Sequence, residues 1–494
     1  MTSRYLSVPA MAVFAALATA PQASALSPTI TIAGTGTDTF LGTRVEPAGD
    51  VNGDGLADVI VSAPNVSVPG RHRTGAAFVV FGRRRPGRVD VSRPGRWGFR
   101  IIGPNNSPAS GQVVAVAGGR DVNGDRRDDV VVAFGSVSAS SSAAYVIFGG
   151  RSTRPVDTAR LGRRGVTLRA PRLGRLGAEL SVALGDLTRD GRADVVVATS
   201  REGYRGGEHV WIVPGGRRLR SHVLGPGDVQ IVSGAGNHLA SAADHTALAV
   251  GDLDGDGHDD LVIGLNGSTT SAGEDAGRVF VVRGSPSRAT VRLDALGARG
   301  WTIDGATKFG RFGANVAAGG DVDGDGIGDL VVSGSADPQA HGEEPVVHDA
   351  VVVLGSRSPA SLSEAALGQR GFHIATTRTM YPAQDAVALT GDLTGDDRAE
   401  VLVGGPGGFA FPTRAPGDAW LVRGAAGATD VDVAADGPRV AHLTGPSPAA
   451  HFGAAVAGVG DVNGDHRPDI AICAPTETVN HHPRAGTCRI FSGV

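Results

Sequence analysis

Lysine is nearly missing from this 494-residue chain, aromatic residues make up 5%, and there are two cysteines, three methionines and four tryptophans. Scarce aromatics exclude a core built on large rings, and two cysteines exclude a disulfide-dense scaffold. Beyond the first twenty-five residues no run approaches ~20 consecutive apolar residues, which excludes a membrane-spanning helix in the rest of the chain. Lys308 is the only lysine. Its isolation reads as coding bias and carries no functional weight. What the chain has instead is glycine and proline, 75 and 28 residues. That composition describes many short strands joined by tight turns.

The N-terminus has one early Arg4, an apolar run from Val8 to Leu17, and small residues at Ala23, Ser24 and Ala25. This is the layout of a cleaved secretory signal. Residues 1–25 are expected to be a signal peptide and 26–494 the mature chain, secreted or held at the cell envelope. A retained N-terminal anchor is the alternative. In an oxidising compartment Cys473 and Cys488 read as a cross-strand disulfide, the alternative being two free thiols.

Self-similarity organises everything that follows. A nine-residue acidic stretch recurs seven times, starting at Asp50, Asp121, Asp186, Asp252, Asp321, Asp392 and Asp461, about seventy residues apart. After each copy comes a β-branched run such as "DVIVSAP" or "DLVVSGS", then a second run ending in glycine, then a short third strand such as "WGFRIIG". Before each copy lies a strand rich in Gly and Ala, suited to a crowded central axis. Four strands per unit point to an all-β seven-bladed β-propeller of four-stranded antiparallel blades. The seventh unit stops after its third strand, and "PTITIAG", Pro28 to Gly34, matches the missing fourth. The N-terminal strand is therefore expected to complete the last blade and close the ring, leaving no open sheet edge.

The phrase Phe-Gly, then the acidic loop, then Ala-Pro after the next strand stands in "HFGAAVAGVGDVNGDHRPDIAICAP" and, less strictly, in "FLGTRVEPAGDVNGDGLADVIVSAP". It resembles the FG-GAP pattern of the integrin α-subunit N-terminal propeller. The resemblance covers essentially the whole mature chain. Units four and six depart from it, with "HLASAAD" and "TMYPAQD" in place of Phe-Gly, and local irregularity is expected there. The resemblance implies that the acidic loops bind calcium and that the opposite face of the ring binds ligand.

The residue types support calcium independently. Two like charges ~4 Å apart cost on the order of 4 kcal/mol at an effective dielectric near 20, so a crowd of acids calls for a cation. Calcium takes six to eight oxygens, and acids at positions 1, 3 and 5 of a tight turn can converge on one ion, with position 9 closing the shell. The candidate ligands are Asp50, Asn52, Asp54 and Asp58 in loop one; Asp121, Asn123, Asp125 and Asp129 in loop two; and Asp186, Thr188, Asp190 and Asp194 in loop three. Loop four offers Asp252, Asp254, Asp256, Asp260 and the carbonyl of His258; loop five offers Asp321, Asp323, Asp325 and Asp329. Loop six has Asp392, Thr394, Asp396 and Glu400, and loop seven Asp461, Asn463, Asp465 and Asp469. An EF-hand is excluded, because position 12 is apolar at Val61, Ile263 and Ile472 where a glutamate is required. Loops four and five, with four carboxylates each, are expected to bind best, and loops three and six worst. Up to seven calcium ions, mainly structural, are anticipated. The competing reading is a set of Asx turns without metal.

The opposite face carries the functional candidates: His72, Tyr204, Arg205, His341, Glu343, Tyr381, Phe409, Phe411, His481 and His482. The expected partner is a glycan or an extracellular protein, with no nucleic acid. A second metal at His481-His482 is a weaker possibility than plain exposure. A secreted lyase or phospholipase activity stays open as an alternative to adhesion, as does a structural role in the envelope. No "GxSxG" or "HExxH" element is present.

Overall fold

The computed structural model describes residues 27–492 apart from 105–112, 136–141, 172–178, 201–208, 234–245, 336–345, 380–385, 407–415 and 436. The described residues form seven sheets, and their only helices are single 3-10 turns. Among the described residues no helix is long and apolar enough to cross a membrane.

Each sheet is one blade, and blade one shows the pattern. Its inner strand Val45–Gly49 precedes the acidic loop; Asp58–Ala63, Ala76–Val80 and Gly98–Ile102 follow outward, all antiparallel. After their leading acid the second strands are almost wholly apolar because they are buried on both faces; Asp58–Ala63, Asp129–Gly135, Asp260–Leu265 and Asp469–Ala474 are buried at every residue. The inner strands carry Gly and Ala because they approach one another at the axis. A Cβ on Gly118 would lie 2.8 Å from the Pro47 carbonyl oxygen, and one on Gly458 would lie 2.7 Å from that of Leu389. Each inner strand packs against those of the two adjacent blades, and Val45–Gly49 packs against Ala455–Gly460 of the seventh. The ring therefore has no single core. Seven apolar slabs between successive blades replace it.

Blade seven draws on both ends of the chain. Ile30–Ala33 pairs antiparallel with Thr487–Ser492, Ile32 opposite Cys488. Cys473 and Cys488 face each other across neighbouring strands of that blade and form the disulfide. There are no free cysteines.

The four antiparallel strands expected for each blade are joined by one more element. Six of the seven sheets have a fifth, short parallel strand on the outer edge, supplied by the connection between the third and fourth strands of the next blade. Val156–Asp157 of blade two, for example, straps Ile101–Ile102 of blade one. The connections that supply the straps also bring arginines onto the preceding blade. Arg164 lies over the Phe99 ring of the preceding blade, and Arg439 over Phe372. Phe-Gly departures in units four and six fall largely outside the described residues, but the strands just after them, Ala247–Gly251 and Ala386–Leu389, are formed.

Candidate metal centres

All seven acidic stretches fold into the same turn between first and second strands. Positions 4 and 6 take left-handed backbone in every copy. Position 6 is glycine in loop one (Gly55, φ 87°) but Arg126 in loop two (φ 71°), Asp397 in loop six (φ 63°) and His466 in loop seven (φ 68°). The turn is set by the first aspartate. Asp50 accepts hydrogen bonds from the amides of Gly53, Asp54 and Gly55 at 2.7, 3.0 and 2.8 Å, and Asp321 does the same for Gly324, Asp325 and Gly326.

Position 9 has a role that motif reading misses. Its carboxylate is fully buried in all seven loops, as Asp58, Asp129, Asp194, Asp260, Asp329, Glu400 and Asp469. Asp329 accepts from the Val322 amide within the loop and from the Gly355 amide beyond the third strand, both at 2.7 Å. Asp58 does the same with Val51 and Gly82, both at 2.9 Å. One side chain thus ties the loop to the strand two places outward. The recurrent glycine ending each third strand was the available signal.

Burial pushes these carboxyls up, against the pull of the amides they accept from: Asp58 to about 8, Asp129, Asp260 and Asp329 to about 7, Asp194 and Asp469 to about 6. Neighbouring acids add to the rise, Asp54 and Asp50 at Asp58, Asp254 and Asp256 at Asp260. Glu400, the position-9 acid of loop six, is also raised by burial. These are carboxylates lacking a counter-charge, which a divalent cation would supply.

Three groups of acids bring ligand oxygens within 4.8 Å of one another: Asp252, Asp254 and Asp260; Asp321, Asp323 and Asp325; and Asp392, Asp396 and Glu400. Loops four and five, singled out by carboxylate count, are both among them. Loop six, placed among the weakest, is there too. Its glutamate is one methylene longer, and its buried Oε1 has no hydrogen-bond partner of ordinary geometry. That orphaned oxygen fits a cation site.

Neighbouring arginines separate loops four and five. Arg283 lies 2.7 Å from Asp254, and Arg189 of loop three lies 2.5 Å from Asp256. Two of loop four's acids therefore already face guanidinium groups. Among the described residues no ion pair reaches the carboxylates of loop five, where Arg398 instead donates to the Asp323 backbone carbonyl at 3.2 Å. In loops two and seven the asparagine fills the gap between acids. Asn123 Nδ2 donates to Asp125 and Asp129 at 3.3 Å, and Asn463 Nδ2 to Asp465 and Asp469 at 3.0 Å. Turning that amide by 180° would present Oδ1 to a cation at the same place. In loop three Thr188 donates to Asp194, and Arg192 stands 3.6 Å from Asp190.

The loops are chained round the ring. In five of the seven loops the amide at position 8 donates to the position-1 carbonyl of the preceding loop: Asp128 to Asp50, Ala193 to Asp121, Gly328 to Asp252, Ala399 to Asp321, and Ala57 to Asp461, which joins the last loop to the first. Pro468 occupies position 8 in loop seven and has no such amide. Asp128 and Asp259 add side-chain bonds to the Asp50 and Asp186 amides, both 2.8 Å.

At the other end of the ring His72, His481 and His482 are exposed, in the second-to-third-strand loops of the adjacent blades one and seven. Tyr204, Arg205, His341, Glu343, Tyr381, Phe409 and Phe411 lie outside the described residues. An axial cavity of about 440 Å³ opens between the inner strands. Among its lining residues is Glu46, whose carboxyl burial raises to about 7 against the influence of Arg44. At the matching inner-strand position the other six blades have Ala117, Ala183, Ala249, Ala317, Ala388 and Ala457.

The FG-GAP repeat model matches residues 42–80, 246–282 and 452–487. Integrin alpha-5 of Xenopus laevis is 30% identical over 157 residues, 31% of this chain and 13% of that protein. Integrin alpha-PS2 of Drosophila melanogaster is 35% identical over 112 residues, 21% of this chain and 7% of that protein. The matches thus span about an eighth or less of each relative's length. The chain carries FG-GAP repeats on a seven-bladed propeller and is similar to integrin α subunits.

Proposed function

We propose that this FG-GAP propeller is a secreted, calcium-stabilised binding module whose ligand, a glycan or an extracellular protein, docks on the face opposite the acidic loops. The observation carrying the calcium reading is the convergence of carboxylates in loops four, five and six, with the buried Asp260 and Glu400 among them pushed up by burial. Calcium would be held by Asp321, Asp323, Asp325 and Asp329 in loop five, and by the matching residues elsewhere. When bound, it would neutralise the buried acids and so brace the belt of loops that joins the blades. The role is structural, because the loops already bond to one another and to the third strands. Similarity to integrin α supports adhesion as the broad class, and secretion after cleavage near Ala25 belongs to the same reading.

A glycan array run with and without calcium tests the ligand. Hits lost on changing His341, Tyr204 or His482 support the loop face, and hits insensitive to every such change would remove it. N-terminal sequencing of the mature protein checks the cleavage.

A further inference from the structure

Among the described residues, six blades have their outer edge covered by a parallel strap and blade six has none; its described sheet ends at Val440–Thr444. The cause is topological. Each strap comes from the connection between the third and fourth strands of the following blade, but in blade seven those strands are Thr487–Ser492 and Ile30–Ala33, which are not consecutive in the chain.

The covered edges show what this one lacks. The strap places Val89 opposite Ile32, Val156 opposite Ile101, Val291 opposite Ile231 and Val431 opposite Ile374; His222 and Leu362 stand opposite Leu168 and Ile303. All six covered residues are 0% exposed, whereas the equivalent Leu443 is 8% exposed. The residue before the strap often supplies an acceptor as well. The amides of Thr167, Thr302 and His373 donate to Ser221 Oγ, Ser361 Oγ and Asp430 Oδ1 at 2.9, 3.1 and 2.8 Å. One residue past the strap, the amides of Val91, Leu224 and Val433 donate to the carbonyls of Ala33, Arg169 and Ala375. In blade six the matching groups are the His442 amide and the Thr444 carbonyl. Among the described residues neither has a partner on the outer side.

We propose that the Val440–Thr444 edge is a strand-addition site for an extended segment of a partner protein, paired parallel. That segment would have the character of the straps: Ser or Asp, then Val or Leu opposite Leu443, then a polar residue. Main-chain bonds give such docking its affinity and the side-chain pocket its selectivity. The chain's own N-terminal residues fit poorly in sequence. In five of six straps the residue opposite the core position stands nine residues before the start of the outer strand, and the same spacing before Ile30 gives Pro21, which lacks both a branched side chain and an amide. A second copy fits poorly too, since each of its straps already covers its own ring.

The test uses the full chain in calcium buffer and a synthetic peptide of the strap sequence Ala428–Ala434, with a Val431→Lys peptide as control. Hydrogen exchange should be fast at His442 in the free protein and at least tenfold slower with the peptide, with no change at His373. His442→Pro, which removes an outward amide at an edge position that tolerates proline, should weaken binding at least tenfold. Protection of His442 in the isolated monomer would overturn the proposal in favour of cover from within the chain, and protection that vanishes on dilution would overturn it in favour of a second copy. No protection at millimolar peptide in the unmutated protein overturns it outright.

Discussion

Arg126 is the residue that best isolates backbone from chemistry. It holds a left-handed φ of 71° where loops one, three, four and five have glycine, a conformation that costs an L-residue roughly 1–2 kcal/mol. Arg126→Gly should raise unfolding free energy by about 1 kcal/mol, less whatever glycine's freedom in the unfolded chain returns; a urea titration in chelator reads it free of metal effects. Asp329→Ala has the opposite sign. It leaves the buried Val322 and half-buried Gly355 amides without acceptors, and at about 1–3 kcal/mol for an orphaned buried group the metal-free protein should lose roughly 2 kcal/mol. Glu46 gives a pH signature. Its folded carboxyl titrates at about 7 against about 4.3 unfolded. The folded state therefore holds the proton longer, and stability falls as pH rises from about 4 to 7. Glu46→Ala, the residue of the other six blades, should flatten that slope and stabilise the protein above pH 7. The gain should be on the order of 1–2 kcal/mol, given that the carboxylate lies in an open cavity, and denaturation at pH 5 and 8 measures it.

At the scale of the element, the acidic loop and the second strand it feeds act as one unit. The motif was fully legible: spacing, turn chemistry and the apolar run all stand in the sequence. The arginines that face Asp254 and Asp256 were not legible, because Arg283 lies beyond the third strand and Arg189 in the preceding blade. Carboxylate count alone ranks loops four and five equal; these arginines favour five. In calcium titrations, Asp325→Asn should abolish a tighter site than Asp256→Asn does, and Arg283→Gln should tighten loop four. Equal affinities in both loops would remove the distinction.

For the whole molecule, stability depends on seven interfaces in a ring, so anything that holds the circle shut acts on all of them. At free calcium ten times the dissociation constant, each filled site adds about 1.4 kcal/mol. Several filled sites would approach the entire stability of an ordinary domain. Chelation should lower the thermal midpoint strongly, and an unchanged midpoint would mean that the loops stand without metal. The raised position-9 carboxyls sharpen this, with the sign set by proton linkage. The metal-free protein holds extra protons between about pH 4 and 8 and loses stability as pH rises through that window, whereas calcium, which needs the ionised acids, should stabilise more at pH 8 than at pH 5. Disulfide removal by Cys473→Ala and Cys488→Ala should cost about 3 kcal/mol for a closed loop of this size, and should loosen blade seven first.

Sequence alone determined the repeat, the blade count and the turn that crowds the acids, because each depends on residues close together along the chain or on an obvious period. Tertiary structure decided which groups meet across blades. The buried position-9 acid reaching past the third strand, the belt of amides between loops, the lone Glu46 on the axis and the straps all join residues from separate segments. The open edge of blade six has the same origin. Among the described residues the other blades are each covered by the next, and the blade assembled from distant segments of the chain supplies no strap to its neighbour.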